Sequence, residues 1–189
     1  IDKKIIYEIE GANYRQVIDI ISRQFGRILT EQEIQEIGRK KLAIFEQIER
    51  VKPFDGIQEL LETLKPKYKL AVVSGSNRRT VHITINTFFP DTFQVIIHGE
   101  DTKISKPSPV PYLKAIERLG IAKDQCLAIE NAPLGIRSAK SAGLRCLAVT
   151  TYLDKECLKE ADIIVYNHRE IGKYIQQESA REDEKEKCT

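Results

Sequence analysis

Along this chain the apolar positions change period once. From about Asn13 to Arg50 they recur at helical spacing: Val17, Ile18, Ile20 and Ile21 share one face, and Phe25 continues it. After Gly26, Thr30 stands three residues before Glu33, a pattern in which hydroxyl and carboxylate each satisfy a free amide at a helix start. Ile34, Ile37, Leu42, Ile44, Phe45 and Ile48 mark a second amphipathic stripe. No strand pattern interrupts them. Residues 1–51 therefore read as a small helical unit, closed by Lys52-Pro53-Phe54-Asp55-Gly56.

Beyond that boundary short runs are apolar throughout: Lys69–Ser74, Phe93–Gly99, Gln125–Glu130, Arg145–Thr151 and Asp162–Asn167. Such runs fit strands of a parallel sheet buried on both faces. Helical patterns at Gly56–Leu64, Asn77–Phe88, Pro109–Leu119 and Pro133–Ala142 separate most of them. This alternation predicts an α/β fold, a Rossmann-like doubly wound parallel sheet, over 52–175. The remainder, 176–189, is a charged tail expected to fray or to be disordered.

In an open parallel sheet, ligands gather outside the carboxyl ends of the strands. After Val73 come Ser74-Gly75-Ser76-Asn77 and a helix: a hydroxyl, a small residue and free helix amides, which suit a phosphate. The same residues also suit an N-cap and tight turn. Lys106 precedes Pro107, Pro109 and Pro111, which stiffen the chain so that its ammonium could be aimed at a phosphate; a surface lysine is the alternative. After Ile129, Glu130 and Asn131 open the next helix. A buried acid needs a partner, and Mg2+ is one, although either side chain could instead cap the helix. His82, His98 and His168 lack metal-ligand spacing and read as surface or capping residues.

The net charge of +2 over 189 residues gives no case for nucleic acid or a membrane surface as partner. No apolar run is long enough to span a bilayer, and none resembles a signal peptide. Cys126, Cys146, Cys157 and Cys188 form no CxxC pair, which fits reduced thiols and a cytoplasmic location. No apolar stripe looks spare, so a monomer is expected. The sequence has no methionine, which reads as a chain without its original N-terminus.

Together these segments resemble the haloacid dehalogenase superfamily, in particular its β-phosphoglucomutase-like phosphatases. VVSGS is similar to the second motif, which implies that Ser74 holds phosphate, with Gly75, Ser76 and Asn77 beside it. SKPSPVPYLKA is similar to the third and implies that Lys106 is its lysine. AIENAPLGIRSAKSAG is similar to the fourth and implies that Glu130 and Asn131 hold magnesium, with Asn131 standing where many relatives have Asp. The helical unit resembles the family's cap, which faces the active site and sets specificity. Gly11–Arg15 and Arg39–Lys41 look nearest the pocket, so Asn13, Tyr14, Arg15 and Lys40 are substrate candidates; a solvated helix face is the alternative for Arg39–Lys41.

One motif of the family is absent: no Asp-x-Asp occurs anywhere in the sequence. The resemblance implies that the first strand, which carries the nucleophile and the acid/base, is missing from the centre of the sheet. In the family the first Asp attacks phosphorus and the second handles the proton, while magnesium and the lysine neutralise charge on the transferring oxygens. The expected activity of the intact protein is magnesium-dependent hydrolysis of a small phosphorylated metabolite such as a sugar phosphate, and this chain alone should be inactive. A phosphosugar mutase and an inactive phosphate-binding member are the alternatives.

Overall fold

The computed structural model describes residues 3–48 and 51–186. The opening charged stretch, given no element by the sequence pattern, forms helix α1 (Lys3–Glu8). Helix α2 (Tyr14–Gln24) starts at Asn13, whose side-chain oxygen accepts the Gln16 amide at 3.0 Å. Helix α3 (Glu31–Glu46) opens on the expected capping box, with Glu33 N to Thr30 Oγ1 at 3.3 Å and Thr30 N to Glu33 Oε2 at 2.8 Å. It stops short of Arg50, which lies with Glu49 outside the described residues.

Here one expectation fails. Helix α3 buries none of its residues, and Phe25, Ile28, Ile37, Ile44 and Ile48 are exposed. An apolar groove of about 890 Å³ runs between α2 and α3, so the cap unit does leave an apolar stripe uncovered.

The core alternates as its sequence pattern predicts: α4 (Ile57–Leu64), β1 (Ala71–Val73), α5 (Arg78–Phe88), β2 (Val95–Ile97), α6 (Val110–Leu119), β3 (Leu127–Glu130), α7 (Pro133–Ser141), β4 (Arg145–Val149), β5 (Ile163–Val165) and α8 (His168–Glu186). Each strand is shorter at one or both ends than its apolar run. The charged tail is not frayed within the described residues: α8 continues to Glu186, tied down by Arg145–Glu178 at 2.5 Å and by Tyr68 Oη against Ser179 Oγ. Residues 187–189, with Cys188, lie outside the description.

Every strand pair is parallel. Strand β4 shows why its sequence is continuously apolar. Cys146 and Ala148 enter a core with Ile136, Ala139 and Leu158, while Leu147 and Val149 enter another with Val165 and Ile171. Alternate side chains thus fill opposite faces of one strand.

The sheet falls into two pieces, β1-β2 and β3-β4-β5, with no hydrogen-bonded strand between β1 and β3 among the described residues. Helix α6 packs on β1 and β2 and also touches α7 of the other piece, so both pieces share one layer of helices. Ile129, inside β3, is 42% exposed, which marks where cover is lacking. The slot lies between the runs Lys69–Ser74 and Gln125–Glu130, where the absent strand is expected. Among the described residues no helix is long and apolar enough to cross a membrane.

Two facing strand edges present unpaired amides and carbonyls, a template for strand addition. We expect the chain alone to be marginally stable and prone to associate. A peptide carrying the first-motif strand should raise its melting temperature. Binding at about 100 times Kd adds about 2.7 kcal/mol, which for a domain of this size is roughly 5–10 °C. Thermal unfolding with and without peptide checks this; a highly stable monomer indifferent to the peptide would refute the sheet order.

Candidate active site

The carboxyl ends of β1 and β3 look across the slot at each other, and the chemistry-bearing residues gather there. Leaving β1, Ser74 donates its amide to Ile97 O at 2.8 Å, which locks the turn to β2. Ser74 Oγ accepts the Ser76 amide at 3.1 Å, and Asn77 caps α5 by accepting the Thr80 amide at 2.8 Å. Cap and phosphate loop are therefore the same structure: Asn77 is spent on the helix, while Ser74, Gly75 and Ser76 line a cavity of about 620 Å³. A Cβ on Gly75 would strike the carbonyl oxygens of Gly11 and Ala12, so only glycine lets the turn between α1 and α2 press on this loop.

Lys106 is not a surface residue; it is 4% exposed. Its ammonium donates to Val73 O at 3.0 Å and to Glu130 Oε1 at 2.5 Å, spanning the slot. An ammonium has three N–H donors. These two contacts occupy two of them and leave the third for a ligand. Tyr112, on α6, donates its hydroxyl to the same Glu130 Oε1 at 2.5 Å, and Lys106 Nζ lies 5.2 Å from the Tyr112 ring centre. Burial, then the adjacent Glu130 carboxylate, hold the Tyr112 phenol well above its ordinary pKa. It is a hydrogen-bond donor throughout the neutral range.

Glu130 thus finds its partner in Lys106 and caps nothing: Ala132 precedes α7, with no side-chain cap. Gly135, in the first turn of α7, lies against the Glu130 carboxylate so closely that a Cβ there would overlap it. Asn131 Nδ2 donates to Glu10 Oε2 at 3.2 Å, which leaves its own Oδ1 available. Burial raises the Glu10 carboxyl above its ordinary pKa; the hydrogen bond from Asn131 opposes this, and nearby Glu130 adds to it.

Not every expected residue arrives. Among the cap candidates Asn13 is the N-cap of α2, Tyr14 packs on Gly38, Arg15 pairs with Glu31, and Lys40 is 3.7 Å from Glu36. None of the four lines the cavity; Glu10, Gly11, Ala12 and Lys41 do. Nor is His98 a surface residue. It is 2% exposed and sits 3.1 Å from Asp101, with burial lowering its pKa. His168 stacks on Phe54, with ring centres 4.2 Å apart.

Sequence reasoning missed Tyr112, Glu10, Gly135 and Gln16, whose Oε1 accepts the Ser105 hydroxyl beside Lys106. For Tyr112 a signal existed: a buried tyrosine needs an acceptor, and Glu130 was the one buried acid predicted. Glu10 had no signal, because only the fold brings it to Asn131.

Among the described residues no three His, Cys, Asp or Glu side chains converge to hold a metal. The donors present still fit Mg2+, which takes one or two carboxylates, waters and substrate phosphates instead of an all-protein cage. Glu130 Oε2 and Asn131 Oδ1 are the hard oxygens in place.

A family model for haloacid dehalogenase-like hydrolases matches residues 2–149. Validoxylamine A 7'-phosphate phosphatase of Streptomyces hygroscopicus subsp. limoneus is 34% identical over 119 residues, 62% of this chain and 56% of that protein. The putative phosphatase YhcW of Bacillus subtilis (strain 168) is 29% identical over 154 residues, 80% of this chain and 67% of that protein. Among solved structures, a putative beta-phosphoglucomutase from Bacteroides vulgatus superposes with a TM-score of 0.84 at 31% identity. The match covers 93% of this chain and 74% of that one. The chain spans little more than half the length of the first of these relatives.

Gly135→Ala tests the packing behind Glu130. A methyl group there must displace the carboxylate from Lys106 and Tyr112. Overpacking of this kind costs about 1–3 kcal/mol. Urea unfolding should show that loss, whereas Gly143→Ala, with open space around it, should show only the strain of its positive φ. Equal stability of Gly135→Ala and the parent chain would refute the contact.

Proposed function

The chain belongs to the haloacid dehalogenase-like hydrolases, and on that footing we propose that the intact protein is a magnesium-dependent phosphatase of a small phosphorylated metabolite, such as a sugar phosphate. One observation carries the reading: a buried ammonium, Lys106, held between Val73 O and Glu130 beside Ser74, with one N–H left over. A fixed positive charge in a site with little water is worth far more to a phosphoryl group than a solvated one.

The roles divide as follows. Ser74 and Gly75 receive phosphate oxygens through the Ser74 hydroxyl and the Gly75 amide, while the Ser76 amide holds Ser74 Oγ in place. Lys106 neutralises charge that spreads over those oxygens in the transition state. Glu130 and Asn131 would hold Mg2+, which when bound polarises the phosphoryl oxygens and offsets their charge. The attacking carboxylate and the acid/base belong to the strand that fills the slot. Glu10 and Lys41, reaching in from the cap, face the rest of the substrate, and their opposite charges suit hydroxyl and phosphate groups. The free thiols Cys126, Cys146 and Cys157 support a cytoplasmic setting.

A phosphosugar mutase is the second reading, favoured by the 31% identity to a putative beta-phosphoglucomutase. Release of inorganic phosphate from sugar phosphates separates the two, since a mutase returns its phosphoryl group to a sugar.

In the intact protein Lys106→Ala should lower turnover by about two orders of magnitude or more, the usual cost of removing a positioned transition-state charge. It also leaves Glu130 buried without its cation, at a cost of about 3–5 kcal/mol, so rates are compared per folded molecule. Ser74→Ala removes one neutral donor and should cost less. Near-normal kinetics in Lys106→Ala would refute the assignment.

Asn131→Asp should move two measurements in opposite directions. Without metal it exchanges a hydrogen bond to Glu10 for a repelling carboxylate, and the melting temperature should fall. With magnesium the added charge should tighten binding, read by calorimetry. Unchanged magnesium affinity would place Asn131 outside the metal's reach.

A further inference from the structure

Glu130 Oε1 carries two donors, and only one of them is the lysine. Tyr112 Oη and Lys106 Nζ each approach that oxygen to 2.5 Å, while Gly135 packs against the face of the carboxylate. Tyr112 is itself anchored: it is 7% exposed and lies in the core with Ala128, Ile136 and Ala139, so its hydroxyl cannot swing away. A carboxylate with one donor could turn about its last bond and exchange its oxygens. With two donors on Oε1, that oxygen is committed, and no described side chain donates to Oε2.

We propose that Tyr112 is a positioning residue, which shares Glu130 Oε1 with Lys106 and so fixes the carboxylate with Oε2 toward the cation. This rests on the reading of Glu130 as a magnesium ligand and Lys106 as the phosphoryl-binding cation. Without the tyrosine hydroxyl, the lysine is the sole donor to that oxygen. The carboxylate then gains freedom to rotate, and Lys106, bound to it, can follow either oxygen. Cation and phosphoryl group lose their fixed partners through one change, at a residue that touches neither.

The variant is Tyr112→Phe in the intact protein, with the slot filled. It keeps the ring, its packing and its face toward Lys106, and removes only the hydroxyl. Magnesium affinity by calorimetry should weaken about tenfold, the lower end of the range for loss of a group that orients a metal ligand. Turnover should fall by a similar factor with KM for the phosphate ester little changed.

A purely structural role is separated by a cycle with Glu130→Gln. If Tyr112 acts through Glu130, adding Tyr112→Phe to Glu130→Gln should reduce the rate no further, whereas independent effects would multiply. The cycle is read on folded protein, with thermal unfolding of all four species measured alongside. Should Tyr112→Phe fail to fold in the parent background, the rates of Glu130→Gln with and without it still decide the matter: a further loss per folded molecule overturns the proposal. Wild-type magnesium affinity and turnover in Tyr112→Phe would also overturn it. Absence of phosphatase activity in the unmutated protein would instead sink the functional reading, while the magnesium arm would remain legible.

Discussion

The structure turns on one buried charge pair placed where the sheet is discontinuous. Side chains of Lys106 and Glu130 are 5% and 8% exposed, and removing two ions from water costs several kcal/mol each before their attraction returns it. As a device for stability a pair of well-packed apolar residues would serve as well or better. What an apolar pair cannot do is reach both pieces of the sheet. Lys106 bonds the backbone at the end of β1 and the side chain at the end of β3, strands that share no backbone hydrogen bond. The charge that the proposed chemistry needs is also the contact that sets the spacing of the two strand ends.

The surroundings follow from satisfying that pair. An unpaired lone pair on a buried carboxylate is costly, and Tyr112 covers one; a side chain on α7 would collide with the carboxylate, and Gly135 avoids it. The lysine stem must pass under the turn between α1 and α2, and Gly11 provides the room: a Cβ at that position would lie 3.1 Å from Lys106 Cδ. Gln16 of α2 accepts a hydrogen bond from Ser105, next in sequence to the lysine. Cap and core therefore meet beside the residue on which the site depends.

How much of this the sequence disclosed depended on the range of the interaction. Strands and helices of the core were legible because their signals are local: β4 reads as uniformly apolar since both its faces are buried, and Thr30 with Glu33 announces a helix start within four residues. Ser74, Lys106 and Glu130 were legible as candidates because strand ends in such a sheet point to one edge. The bonds among them were not, since Tyr112 to Glu130 and Asn131 to Glu10 span 18 and 121 residues. The cap candidates do not line the cavity for a different reason, which is local for two of them. Asn13, Arg15 and Lys40 looked functional by polarity, but Asn13 is used by its own helix start, and Arg15 and Lys40 by neighbouring glutamates. Polarity alone does not tell a side chain that meets a ligand from one that meets its own helix.

Asn131 shows what the site does with a missing charge. Two carboxylates at residues 130 and 131, with Glu10 close by, would put three negative groups around one ammonium. The amide lowers that number and turns a repulsion into a hydrogen bond, since its Nδ2 donates to Glu10. Burial and Glu130 nonetheless push the Glu10 carboxyl upward, the direction expected of an acid whose charge is poorly compensated. Through Glu10 the loop between α1 and α2 thus reaches the core site directly, and its neighbour Gly11 lies against the Lys106 stem.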